Sequence, residues 1–145
     1  MTLEEYLTKR DVAGALLGAL TDDLAATVTQ ATVREMSSMG WDGTANQVSA
    51  LPVPNIVTSL SAQTDPDDKE SGQLSCSVDI EITTDLTEDA RGDMHYFLRK
   101  SVIDWLQSSA GWVGCNFADV MGLEIQPAID ADGFLTTTIS FTGVY

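Results

Sequence analysis

Leu74-Ser75-Cys76-Ser77-Val78-Asp79-Ile80-Glu81-Ile82-Thr83 alternates apolar and polar side chains without a break. A period of two is that of a pleated strand, whose successive side chains point to opposite faces. Leu74, Cys76, Val78, Ile80 and Ile82 therefore share a dry face, and Ser75, Ser77, Asp79, Glu81 and Thr83 a wet one. One dry and one wet face is the pattern of an antiparallel sheet covered on a single side. The rest of the chain is read outward from this strand.

Upstream, Leu51-Pro52-Val53-Pro54 forms an extended lead-in, because each proline biases its predecessor away from helix. Asn55 to Ala62 follows as a partner strand, with Ile56, Thr58 and Leu60 alternating against Val57 and Ser59. The loop between the two strands, Gln63 to Gly72, is dominated by Asp65, Pro66, Asp67, Asp68, Lys69 and Glu70. Downstream, Thr87-Glu88-Asp89 reads as a helix start, with a hydroxyl cap and acids at the positive end of the dipole. Ala90, Met94, Phe97, Leu98, Val102, Trp105 and Leu106 supply its apolar stripe, which stops around Ser108-Ser109-Ala110-Gly111. A third strand is expected over Val120 to Ile129, and Asp130-Ala131-Asp132-Gly133 is a turn cluster. A fourth strand begins at Phe134, where Leu135, Thr137, Ile139 and Phe141 alternate with Thr136, Thr138 and Ser140.

The first forty residues read as helix. Thr2-Leu3-Glu4-Glu5 matches a capping box, and Leu3, Tyr6, Leu7, Ala13, Leu16, Leu17, Leu20, Leu24, Val28 and Ala31 recur at three- and four-residue steps. Asp11 and Thr21-Asp22-Asp23 are internal cap candidates, so one long helix and two shorter ones fit equally. The expected fold class is α+β: an N-terminal helical segment, then ββαββ, with a mainly antiparallel four-stranded sheet packed against helices. Residues 1–145 form a single domain in this reading, with 1–40 helical and 51–145 the sheet-and-helix core.

Seven Lys+Arg stand against 22 Asp+Glu, a formal net charge of -15. With 43% hydrophobic and 20% charged residues the chain is foldable and unlike an acidic disordered tail. So few scattered cations cannot neutralise a run of phosphates, which argues against a nucleic-acid groove and against docking on an anionic membrane. Glu4 and Glu5 stand where a secretory signal carries cations, and Val12 to Leu20 is broken by Gly14 and Gly18 and too short to span a bilayer. Cys76 and Cys115 are far apart with no CxxC, which favours two reduced thiols in a cytoplasmic protein over one disulfide.

Motifs for chemistry are sparse. His95 is the only histidine and reads as a partly exposed helix residue beside the apolar stripe. No GxSxG elbow and no Gly-rich phosphate loop occurs. Cys76 falls on a dry strand face as an inert thiol, and Cys115 has no partner base nearby in sequence. Asp130-x-Asp132-Gly133 resembles the opening of a calcium loop but lacks the later ligands, so a solvated hairpin tip is expected. Arg91-Gly92-Asp93 spells an integrin tripeptide inside an expected helix, where chance spelling is favoured. Gly14-x-x-x-Gly18 fits a tight approach of another element, or a kink. The reading assigns no catalytic, cofactor-binding or metal-binding residues and favours a protein that is not an enzyme.

From Leu51 to Tyr145 the order of elements carries a family likeness. A Pro-containing lead-in, Leu51-Pro52-Val53-Pro54-Asn55-Ile56-Val57, feeds a strand, an acidic hairpin loop and the strand Leu74 to Ile82. The helix Met94 to Leu106, a Gly122-Leu123-Glu124-Ile125 strand and the last strand, Thr137 to Val144, complete it. This resembles the tail-terminator and tail-completion (neck) proteins of long-tailed bacteriophages. The resemblance implies a homo-oligomer, a hexameric ring, at the head-proximal end of the tail. Its partners would be the tail tube protein and the head-side connector, with DNA passing through without specific binding. It also implies localisation in the virion, and in the host cytoplasm during assembly. The acidic loop Asp65, Asp67, Asp68 and Glu70 is the candidate lumen-facing or partner-facing tip. Another phage neck or tail-tube component, and a soluble ligand-binding or regulatory α+β domain, are the alternative readings.

Overall fold

The computed structural model describes residues 17–36, 53–64, 75–107 and 119–144. Within them lie a helix over 17–27 (α1), strands β1 (Thr32–Met36), β2 (Asn55–Thr64) and β3 (Ser75–Asp85), and the helix α2 (Asp93–Gln107). Strands β4 (Asp119–Ile125), β5 (Ile129–Ala131) and β6 (Phe134–Val144) follow. The strands form one six-stranded sheet in the order β1-β2-β3-β6-β4, with β5 also pairing β6. β1 runs parallel to β2, and the other pairings are antiparallel. The fold is therefore mixed α/β, with more sheet than helix. The expected four-stranded, mainly antiparallel ββαββ arrangement is wrong.

Two local features account for the correction. Thr27-Val28-Thr29 is a β-branched run that disfavours helix, and the helical segment expected to reach residue 40 stops there. Thr32-Val33-Arg34-Glu35-Met36 is then extended and lies alongside β2, with Val33 opposite Ile56. Pro127 is the second feature. The Gln126 amide still donates to the Thr138 carbonyl at 2.9 Å. Proline cannot donate, so the single third strand expected over 120–129 becomes β4 and β5.

Both helices contribute to one core with the dry faces of β2, β3 and β6. Val78, Ile80 and Ile82 of β3 are fully buried, as the alternation predicts, beside Ile139 and Phe141 of β6. On α1, Leu17, Leu20, Leu24 and Val28 repeat at helical spacing and are buried. Thr21 joins them as a buried polar residue. Its hydroxyl donates to the Leu17 carbonyl at 2.7 Å and lies 2.7 Å from the Thr58 hydroxyl of β2. With the Thr21 proton used on Leu17, the Thr58 hydroxyl donates to Thr21, and the Arg34 carbonyl is its more distant acceptor at 3.5 Å. The helices are tied together by the Trp105 indole, which donates to the Asp23 carboxylate at 2.7 Å. Thr21-Asp22-Asp23 thus lies inside α1 and does not cap a new helix. Residues 1–16 lie outside the described residues, as do 37–52.

The β5–β6 hairpin turns at Asp132 and Gly133, with φ of 54° and 81°. Two successive positive φ values make a type I′ turn, whose twist matches that of the flanking strands. Asp130 and Asp132 therefore belong to a hairpin tip. An added Cβ at Gly18 would lie 3.4 Å from Glu35 Oε2, an ordinary contact, so no tight approach requires glycine there.

Candidate functional site

The sheet face opposite the helices carries Asn55, Val57 and Ser59 of β2, Ser77, Asp79, Glu81 and Thr83 of β3, and Thr136, Thr138, Ser140 and Thr142 of β6. No described helix covers it. Ser140 donates to the Asp79 carboxylate at 2.7 Å across the β3–β6 pair. Arg34 and Glu124 lie on the same face, on β1 and β4 respectively, by their register with Val57 and Ser140. Small hydroxyls and acids dominate this face on β3 and β6, whereas Asn55 and Val57 on β2 are buried.

The two sides of the sheet end differently. β1 is short and carries Arg34 and Glu35, both exposed. Burial pushes the Glu35 carboxyl up, and the neighbouring Asp22 carboxylate adds to the rise. At the other side β4 and β5 expose Leu123, Ile125 and Ile129, the last 63% accessible. Ile125 stands on the helix-bearing face by its register with buried Ile139, yet it lies beyond the cover that the helices provide. Along their outer sides neither β1 nor β4 has a partner strand among the described residues.

A surface groove of about 470 Å³ lies where β3 leads into α2, lined by Gln30, Pro54, Thr84, Asp85, Glu88, Asp89, Asp93 and Met94. The sequence reading starts the helix at Thr87, but 86–91 form turns and α2 begins at Asp93. Asp89 caps it, accepting from the Met94 amide at 3.2 Å and the His95 amide at 3.0 Å. Asp85 accepts from the backbone amide and the hydroxyl of Thr87, at 2.8 and 2.7 Å, and these bonds hold its carboxyl below the usual range. The groove favours a cation over an anion by its charge, but two of its four carboxylates, Asp85 and Asp89, are committed to the chain itself. Among the described residues no three His, Cys, Asp or Glu side chains gather in a way that holds a metal ion.

His95 is a second correction. It is completely buried, not partly exposed, whereas Met94 and Phe97, expected in the apolar stripe, are exposed. The buried face of α2 is His95, Leu98, Val102, Trp105 and Leu106. The His95 Nδ1 lies 3.0 Å from the Thr84 hydroxyl of β3, and its Nε2 lies 2.7 Å from the Thr137 hydroxyl of β6. Thr84 and Thr137 are themselves buried. A neutral imidazole has one donor and one acceptor nitrogen, so one threonine donates to it and the other accepts. Burial pushes the imidazole below the usual histidine range and the Arg99 guanidinium pushes the same way, while the Asp89 carboxylate pulls it back up. Both ring nitrogens are engaged, and neither is free to take a substrate proton in this arrangement.

The acidic loop Asp65, Asp67, Asp68 and Glu70 lies outside the described residues, as do Cys115 and the side chain of Cys76. The sequence marks Asp89 only as an acid at the helix start and Thr137 only as a member of an alternating row, and it does not mark Thr84. The signal for the two threonines was present, since each occupies a dry position in an alternating strand and needs a partner there. Among the described residues no helix is long and apolar enough to cross a membrane. No protein-family model matches the chain, and a search of curated proteins finds no significantly similar relative.

Proposed function

We propose that this protein is a structural component of a phage tail, a terminator that closes into a ring at the head-proximal end of the tail tube. The observation that supports this reading is the pair of unlike sheet sides, with apolar Leu123, Ile125 and Ile129 exposed on β4 and β5 and charged Arg34 and Glu35 on β1. A ring requires a heterologous contact between two different patches of each subunit, and strand sides without partners are suited to carry it. The accessible part of the wet face, around Asp79 and Glu81, suits a surface past which DNA slides without adhering. The proposed role is assembly, without catalysis.

Light scattering on the purified chain at tens of micromolar, followed by electron microscopy, tests this. The expected result is a closed ring several times the subunit mass. Ile125→Lys combined with Ile129→Lys should leave the far-ultraviolet circular dichroism unchanged and reduce the ring to monomers. A wild-type monomer, or a ring indifferent to these substitutions, would refute the reading.

A further inference from the structure

We infer that Thr84, His95 and Thr137 form an acid-released clamp that holds the start of α2 against the sheet. Three elements meet there: the end of β3, the first turn of α2 and the first half of β6. All three side chains are at most 1% accessible, so no water replaces a lost partner. In the neutral state the hydroxyls and the ring satisfy one another. An imidazolium has two donors and no acceptor, so both threonines must turn their protons elsewhere. The added charge would also sit in a dry site, which is costly without a counter-charge.

The surrounding charges do not supply one inside the core. On α2 the nearby cation is Arg99, which opposes a second positive charge, Asp93 is exposed, and the exposed Tyr96 ring meets the imidazole edge-on at 5.9 Å without supplying a counter-charge. In the turn before the helix Asp89 is of helpful sign, but its oxygens bind the Met94 and His95 amides. Glu88 in that turn is exposed. On β3 the adjacent Asp85 is turned to Thr87, while Asp79 and Glu81 lie on the opposite face. β6 carries no charged residue between Phe134 and Val144. Relief comes from withdrawing His95, with the Asp89 cap, from between β3 and β6. The far end of α2 is held separately through Leu106 and the Trp105–Asp23 bond. The release is therefore local, and it differs from general acid unfolding.

The sign follows from linkage. Histidine in an open chain takes its proton near pH 6.5, and the clamped ring resists until a lower pH. The clamp's stability is complete above about pH 6.5 and falls below it, so the opened population rises by up to about tenfold per pH unit. Because His95 is the sole histidine, imidazole nitrogen resonances of the full chain report it without assignment. The experiment combines that titration from pH 8 to 4.5 with protection factors of the α2 amides by hydrogen exchange. The expected result is a single neutral tautomer through pH 6.5, then loss of protection at residues 93–98 ahead of β3 and β6. His95→Gln, which cannot take up a proton, should show no such pH step. A ring that titrates near 6.5 with unchanged protection overturns the proposal, as does a Gln variant that opens identically. If that variant fails to fold, the wild-type titration and exchange alone decide. Neither readout depends on ring assembly.

Discussion

Ile80→Asp places a carboxylate in the middle of β3, where the native side chain has no exposed surface. Its cross-strand neighbours are Thr58 on β2 and Ile139 on β6. Ile139 offers no hydrogen bond, and the Thr58 hydroxyl is already bound to Thr21. The lost burial of the isoleucine costs about 1.5–3 kcal/mol. Keeping an aspartic acid neutral at pH 7 costs about 4 kcal/mol, and leaving the neutral carboxyl without a partner about 1–3 kcal/mol more. The total, about 7–10 kcal/mol, is comparable to the roughly 5–15 kcal/mol that holds a domain folded. Ile80→Asn carries every contribution except the protonation cost, and Ile80→Val should cost only about 0.5–1.5 kcal/mol. Urea unfolding monitored by circular dichroism at pH 7 and pH 5 separates them. The drop in pH should return about 2.7 kcal/mol to the Asp variant relative to the Asn variant. An Asp variant with the midpoint of the Val variant would mean that Ile80 does not face the core.

Asp89→Ala removes the acceptor for the Met94 and His95 amides and should destabilise the protein by about 1 kcal/mol, seen as a lowered urea midpoint. Gly133→Ala and Gly92→Ala both force a side chain to positive φ, at about 1–2 kcal/mol. The position at Gly133 is open, whereas a Cβ at Gly92 would lie 3.3 Å from Leu135 Cδ2 and from the Tyr96 ring. Thermal melts should therefore rank Gly92→Ala as the more damaging.

The strands whose one face is buried were legible because their period is written in every second residue. β3 and β6 are the clearest cases, with Val78, Ile80 and Ile82 opposite Phe141, Ile139 and Thr137. β1 was not legible. Five residues with Val33 as the only buried apolar side chain among those described give too little alternation, and parallel pairing with β2 leaves no local turn signal. The helical stripe of α2 was identified, but its phase was displaced by weighting Met94 and Phe97 for their hydrophobicity. Leu98, Val102 and Trp105 set the true phase, and His95 stands three residues before Leu98 in the same row. Polar burial is set by what comes opposite in the fold, and Thr84 and Thr137 are 53 residues apart along the chain. The exposure of Ile125 was hidden for a similar reason, since its strand partner is apolar and only the reach of the helices leaves it bare.

β6 follows every other described element in the chain, yet it lies inside the sheet, bonded to β3 on one side and to β4 and β5 on the other. During synthesis β1, β2 and β3 leave the ribosome before the strand that completes them. Until β6 is released, β3 presents eleven residues of open hydrogen-bonding groups beside a bare row of Val78, Ile80 and Ile82. Pairings this distant in sequence form slowly, so a nascent chain would spend a vulnerable interval waiting for β6. A chaperone that shields that side of β3 would protect the chain when it is made in quantity.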